Sequence, residues 1–236
     1  MSLIKTLPQA KLQRTRQTAP QVFEILREQI IAVTLAPGDV LSRPLLATHF
    51  GVSQTPIRDA LQKLADEGLV DIFAQHATVV SRIDITAAMQ VQFLRKSIEI
   101  EILKTLCKLP TAAHLKLSRD LRNLLKLQAR TISPLDHGLL AQLDQSMHHT
   151  LYVAAGVEPL WDLVRQRSGH IDRLRRLNLP KRGKAKSVLS DHQAIVEALE
   201  KKNATAAEKA LRAHLAGTLA FVDEIKHQFP EWTTQA

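Results

Sequence analysis

The sequence contains few cysteine, glycine and aromatic residues, and it has no long apolar run. Its 236 residues include a single cysteine, Cys107, which excludes an intramolecular disulfide framework and any metal site built from several thiolates. No apolar run approaches the roughly 20 residues that cross a bilayer. The first residues also lack the apolar core of a signal peptide. We therefore expect no membrane partner and a cytoplasmic location.

The residues that are abundant favour a folded, helical chain. With 45% apolar and 23% charged residues and only 8 glycines, the composition suits a globular protein rich in helix formers. The net charge of +9 is unevenly spread, because residues 1–82 hold nine basic and seven acidic residues while residues 165–186 hold nine and one. The simpler interpretation of that basic run is a solvated helix face and loop, and not a nucleic-acid site.

The first third of the chain has the pattern of three helices followed by a hairpin. Residues 1–19 are polar and basic without an apolar period, which indicates a flexible arm. The predicted helices cover residues 20–34, 42–50 and 53–67, and the predicted strands cover residues 69–73 and 78–83. Ser42 and Ser53 are the expected N-caps, and Gly51 and Gly68 the expected helix ends. This order predicts a winged helix-turn-helix over residues 20–83.

The remainder of the chain, residues 84–230, has a helical pattern throughout. Pro110, Gly156 and similar breaks divide it into about six helices, at residues 84–108, 111–131, 134–155, 158–178, 187–201 and 204–228. Since the connections are short, these helices should pack as an antiparallel bundle. The expected fold class is mainly α, with an N-terminal winged helix-turn-helix and a C-terminal bundle.

The helix at residues 53–67 has a polar outer face suited to DNA. In a helix-turn-helix the second helix enters the major groove, where Gln pairs with adenine and Arg with guanine. Ser53, Gln54, Thr55 and Arg58 lie on that face. "GVSQTPIRDAL", followed by "EGLV" and a hairpin, resembles the DNA-binding domain of GntR-type bacterial transcription regulators. The resemblance covers residues 20–82 and implies a double-stranded DNA partner.

The chain departs from that family at two places. Pro44 stands where the family usually carries an arginine, so we expect the adjacent Arg43 to supply the contact or the contact to be lost. The wing tip is usually Arg-Gly-Thr, whereas this chain has His76, Ala77 and Thr78. Losing the glycine removes backbone freedom, so we expect His76 and Thr78 to contact DNA more weakly than the family's wing.

The helical region resembles the ligand-binding FCD domain of the FadR-like branch of the same family. The stretches that carry the resemblance are "FLRKSIEIEILKTL" (93–106), "LDQSMHHTLYVAAG" (143–156) and "SDHQAIVEALEKKNATAAEKALRAHL" (190–215). They contain an arginine four residues before an acid, an Asp-x-x-x-His helix and two histidine-bearing helices. The resemblance implies that a small organic acid is bound in the bundle, and that this acid controls the DNA-binding domains of a homodimer.

The same residues make chemical sense as a metal site. Asp144 and His148 lie four apart on one helix face, and His192 and His214 lie on two consecutive later helices. Three neutral imidazoles and a carboxylate suit zinc, nickel or a similar divalent ion, and they leave one or two positions for an effector carboxylate. The planar fork of Arg95 is the candidate that binds the effector's other end.

The sequence leaves other interpretations open. Asp144 and the three histidines can instead form a metal-free effector pocket, or a hydrogen-bonded network in a bundle that only dimerises. His149 should point away from His148, and His170 is a further candidate to line the cavity. A metalloenzyme is a remote alternative, since no general acid or base accompanies the ligands. We expect a regulator and not an enzyme, namely a repressor that binds a short inverted-repeat operator.

Overall fold

A computed structural model describes residues 7, 12–13, 15–73 and 77–234 of the chain. In these ranges the protein is mainly helical with one two-stranded sheet, which confirms the predicted fold class. The chain divides into two compact units. The N-terminal unit extends to Ile85 and also includes the chain from Lys226 onward, and the helical unit comprises Thr86–Ile225. No described helix is both long and apolar enough to cross a membrane.

The N-terminal unit contains the predicted helices and hairpin in the predicted order. They are α1 (Thr18–Ile31), α2 (Arg43–Phe50), α3 (Gln54–Asp66), β1 (Val70–Phe73) and β2 (Ala77–Val80). The strands are antiparallel, with Val70 opposite Val80. Gly51 ends α2 in the left-handed conformation at φ 64°, as expected. Ser42 and Ser53 occupy the N-cap positions, as expected. Neither side chain makes a capping hydrogen bond to the first turn of its helix.

The interior of the N-terminal unit is an apolar cluster. Ile57, Leu61 and Leu64 form the inward stripe of α3 and are at most 1% exposed. They pack in one cluster with buried side chains of α1 and α2. Burying such a side chain stabilises the fold by about 1.5–3 kcal/mol, so this stripe fixes which face of α3 remains outside.

The C-terminal segment is hydrogen-bonded to the N-terminal unit. The N–H of Ile83 donates to the carbonyl of Trp232 at 2.7 Å, and the N–H of Thr234 donates to the carbonyl of Ile83 at 3.0 Å. The expected helical domain extends to residue 230, whereas the helical unit ends at Ile225. The difference arises because this pairing joins residues about 150 positions apart, which leaves no local sequence pattern.

The second half of the chain contains eight helices instead of about six. They are α4 (Ile85–Leu106), α5 (Thr111–Arg130), α6 (His137–Ala154), α7 (Glu158–Arg167), α8 (Gly169–Asn178), α9 (Lys184–Glu200), α10 (Ala204–Leu219) and α11 (Val222–Gln228). The predicted helices at 158–178 and 204–228 are each divided in two. At the first division, the hydroxyl of Ser168 donates to the carbonyl of Val164 at 2.7 Å, and its N–H donates to Arg165 instead. Such a bond weakens a helix slightly and often bends it, but Ser97 and Ser146 make the same contact inside the unbroken helices α4 and α6, so this bond alone does not explain the division.

Candidate metal centre and DNA-binding surface

Four side chains from three helices of the helical unit converge in its interior. Asp144 and His148 lie on α6, His192 on α9 and His214 on α10, and one donor atom from each lies within 4.8 Å of the other three. The four-residue spacing on α6 places the first pair on one face. The structure therefore brings together all four residues that the sequence predicted as metal ligands.

The donor atoms have the mutual spacing of ligands around one ion. Nε2 of His214 lies 3.1 Å from Nε2 of His148 and 3.3 Å from Nε2 of His192. Oδ1 of Asp144 lies 3.3 Å from Nε2 of His192 and 3.8 Å from Nε2 of His214. Two ligands held about 2.1 Å from a divalent ion are about 3.0–3.4 Å apart at octahedral or tetrahedral angles. The three shorter distances fall in this range and the distance of 3.8 Å exceeds it, so four donors around a single ion would require Asp144 and His214 to approach each other by a few tenths of an ångström.

A buried ion pair sets the orientation of His148. Its Nδ1 lies 2.8 Å from Oε2 of Glu99, and the other oxygen of Glu99 accepts from Nε of Arg95 at 2.8 Å. Burial raises the pKa of Glu99, but Arg95 and His148 together hold it at about 2. Because an ionised carboxylate only accepts, Nδ1 of His148 donates to Glu99, and Nε2 is the ring nitrogen that faces the cluster.

An amide sets the orientation of His192. Its Nδ1 lies 2.8 Å from Oε1 of Gln128, and Nε2 of Gln128 donates to the carbonyl of Leu143 at 3.1 Å. Since a carbonyl oxygen only accepts, the amide nitrogen of Gln128 faces Leu143, and the amide oxygen faces His192 and accepts its Nδ1 proton. Gln128 thus directs the Nε2 lone pair of His192 into the cluster, as Glu99 does for His148.

The protonation states of the cluster also suit a cation. Burial lowers the pKa of His192 and of His214, and the neighbouring imidazoles lower that of His214 further. Although burial raises the pKa of Asp144, its hydrogen bond to His192 and the other histidines hold it well below its usual range. Neutral imidazoles and an ionised carboxylate are the forms that bind a divalent ion. Nδ1 of His214 has no hydrogen bond within the described ranges, and Oδ2 of Asp191 lies 3.8 Å away.

The other residues of this region that the sequence analysis discussed do not belong to the donor set. Arg95, predicted to bind the effector, is 3% exposed and is held by Glu99 behind the donor set. His149 points away from the cluster, as predicted, and pairs with Glu158 at 3.0 Å. His170 contacts Arg173 at 2.9 Å and is not one of the four donors.

Two supporting residues differ in how visible they are in the sequence. Glu99 is the acid four residues after Arg95 that the sequence analysis noted. The sequence did not indicate that Glu99 also contacts His148. Gln128 escaped the sequence analysis because it lies 64 residues from His192, and only tertiary packing brings the two together.

The predicted DNA-contacting face of α3 is exposed. Ser53, Gln54, Thr55 and Arg58 all lie at the surface of the N-terminal unit. The side chain of Arg58 is 66% exposed, and Asp59 is its ion-pair partner at 3.3 Å. Because the weak contact to Asp59 leaves most of the guanidinium in solvent, Arg58 is able to bind a base or a phosphate.

The remaining residues that were predicted to contact DNA differ in their exposure to solvent. Arg43 begins α2 and is partly exposed. Thr78 is only 3% exposed, and its hydroxyl has no hydrogen-bond partner in the part of the chain that the structure describes. The structure therefore does not present Thr78 at the surface. His76 lies outside the described residues.

Known proteins resemble the chain in both sequence and fold. The model of bacterial regulatory proteins of the gntR family matches residues 18–80, and the FCD domain matches residues 90–217. An HTH-type transcriptional regulator in an unstable DNA locus of Streptomyces ambofaciens is 33% identical over 216 residues, which cover 92% of this chain and 89% of that protein. The HTH-type transcriptional repressor RspR of Escherichia coli K12 is 26% identical over 227 residues, covering 96% and 98%. The solved structure of E. coli McbR/YncC shares the fold with a TM-score of 0.73 at 17% identity, covering 89% and 98%.

Proposed function

The chain belongs to the gntR family of bacterial regulatory proteins and carries an FCD domain, and we propose that this transcriptional regulator binds its operator under the control of a small organic acid. The acid would bind at a divalent metal ion in the helical unit. The observation that carries this proposal is the convergence of Asp144, His148, His192 and His214, with two of the imidazoles oriented by buried partners.

These four residues would hold the ion, for which zinc and nickel suit the donor set best. A bound ion would offer one or two further positions to a carboxylate oxygen of the effector. Glu99 and Gln128 keep two rings turned toward the ion, a support that raises metal affinity in other proteins. Arg95 keeps the Glu99 carboxylate ionised, so we assign it a positioning role.

The exposed N-terminal part of α3 would enter the major groove. Arg58 is the candidate to pair with guanine and Gln54 with adenine, while the hydroxyls of Ser53 and Thr55 reach phosphates. Arg43 would add a backbone contact from α2. A homodimer would present two such helices to a short inverted-repeat operator. We propose a repressor in the cytoplasm, since the similar RspR is named a repressor.

Binding assays on the metal-loaded protein test this proposal. Operator affinity is measured with and without organic acids that calorimetry has shown to bind. We expect at least one such acid to change operator affinity by about 5–150-fold, the usual range of coupling between two sites. If no bound acid changes DNA affinity, the proposed control is contradicted.

Metal analysis of purified variants tests the ion itself. We expect one divalent ion per chain in the wild type and its loss in His148→Ala and His214→Ala. His149→Ala is the matched control, because the neighbouring ring lies outside the cluster and is 38% exposed. Retained stoichiometric metal in His148→Ala would contradict the ligand assignment. Organic-acid binding without any metal would favour the metal-free pocket.

A further inference from the structure

The four donors of the cluster are not equally buried. The side chain of Asp144 is 16% exposed, whereas those of His148, His192 and His214 are 1%, 0% and 6% exposed. The cluster therefore faces solvent on its Asp144 side. Asp144 is thus the donor most accessible to a small molecule.

Arg175 on α8 is the guanidinium on that side. Its Nη1 lies 3.9 Å from Oδ2 of Asp144 and 3.4 Å from Oδ1 of Asp172, and its Nε lies 3.4 Å from the hydroxyl of Thr218. These distances are longer than those of strong charge-assisted hydrogen bonds, about 2.7–2.9 Å. Nη1 of Arg165 lies 2.7 Å from the other oxygen of Asp172. Arg175 is thus held near several oxygen atoms, yet its donors are not saturated.

A second cation lies near the same carboxylate. Lys184 begins α9, and its Nζ donates to the carbonyl of Gly217 at 3.0 Å, the residue before Thr218 on α10. A Cβ at Gly217 would lie 3.0 Å from this Nζ, so the glycine permits the close approach. Burial lowers the pKa of Lys184, while Asp191 and Asp144 favour its charged form.

We propose that Arg175, assisted by Lys184, binds a second anionic group of the effector, and that the effector is a dicarboxylate. This inference rests on the proposed function, in which the first carboxylate takes the open position at the ion. Arg175 is 21% exposed and has unsaturated donors, whereas Arg95 is 3% exposed and bound to Glu99. A planar fork of donors suits a carboxylate, so Arg175 is the accessible group that would distinguish two charges from one.

Calorimetric titration of the full-length, zinc-loaded protein tests this inference. The probes are acetate, which has one carboxylate, and malonate, succinate and glutarate, which have two at increasing separation. We expect at least one dicarboxylate to bind about tenfold or more tightly than acetate, the effect of one added charge-assisted contact. Equal affinities for acetate and all three dicarboxylates would overturn the inference.

Two variants on α8 separate recognition from general electrostatics. Arg175→Gln should reduce dicarboxylate affinity to the acetate level and leave acetate affinity and zinc content unchanged. Arg176→Gln removes the same charge from the next position and should leave every affinity as in the wild type. Equal loss of acetate and dicarboxylate binding in Arg175→Gln would show that Arg175 acts only through Asp144, against the inference. If zinc-loaded protein binds none of the four acids, the inference fails, whereas the proposed function is tested separately by the change in operator affinity with any organic acid that binds.

Discussion

The two units place their functional residues in opposite ways. In the N-terminal unit, the residues of α3 that we propose as DNA contacts are exposed, and the interior beneath them is apolar. In the helical unit the functional residues are interior, and charged groups such as Glu99 are fully buried beside the core. Surface contacts can therefore change without loss of folding, whereas the proposed metal site and the interior of its unit share the same buried side chains.

The largest expected effect comes from breaking the buried support of the cluster. Glu99→Ala leaves the Arg95 guanidinium, which is 3% exposed, without its partner. Removing one member of a buried ion pair costs about 3–5 kcal/mol, and we expect that loss in the free energy of unfolding of the metal-free protein, measured in urea.

The matched control lies on the same helix. Glu101 is 72% exposed and pairs with Lys104 at 2.8 Å, so Glu101→Ala should change stability little, because exposed ion pairs contribute little. If both variants unfold at the same urea concentration, Glu99 does not support the helical unit and the contrast between the units is wrong.

The second expected effect is stabilisation by the ion. At a free zinc concentration about 100 times the dissociation constant, binding to the folded state adds about 2.7 kcal/mol. For a chain of this size that raises Tm by about 5–10 °C. The rise should persist in Gln54→Ala, whose altered residue lies on the exposed face of α3, and should disappear in His192→Ala. An equal rise in His192→Ala would show that zinc stabilises the protein from another site.

The same contrast explains what the sequence could predict. The winged helix-turn-helix was predictable because its signals are local: the apolar stripe of Ile57, Leu61 and Leu64, and glycine at the end of α2. Asp144 and His148 were predictable as a pair for the same reason, since one helical turn joins them. Each of these features needs only the period of one helix.

The features that escaped the sequence analysis depend on packing between distant segments. Gln128 contacts His192 across 64 residues, and nothing in its own helix distinguishes it from other polar residues. Arg95 was predicted to bind the effector, and only the packing reveals that it is 3% exposed and paired with the buried Glu99. The break at Ser168 was hidden because the helical pattern of the sequence continues through it, although α7 ends at Arg167 and α8 begins at Gly169.

The third expected effect is confined to DNA binding. Arg58→Ala should weaken operator affinity by about 1–3 kcal/mol, the range for a lost bidentate base contact, and leave the urea midpoint unchanged. Lys116→Ala, on the helical unit, removes one positive charge from an exposed site and should leave operator affinity nearly as in the wild type in an electrophoretic mobility assay. If Arg58→Ala binds the operator with wild-type affinity, Arg58 contacts neither a base nor a phosphate.

The smallest expected effect concerns backbone strain, since each unit contains a residue other than glycine in the left-handed conformation. Val33, after α1, has φ 59°, and Lys202, after α9, has φ 50°. The left-handed conformation costs about 1–2 kcal/mol in a residue other than glycine, while glycine gives back about 0.5–1 kcal/mol through the entropy of the unfolded chain. We expect Val33→Gly to stabilise the protein by about 0.5–1 kcal/mol in urea unfolding. Lys202→Gly should gain less, because it also removes the hydrogen bond from Lys202 Nζ to the Leu109 carbonyl at 2.9 Å. A larger gain at Lys202 than at Val33 would mean that this side-chain contact contributes nothing to the helical unit.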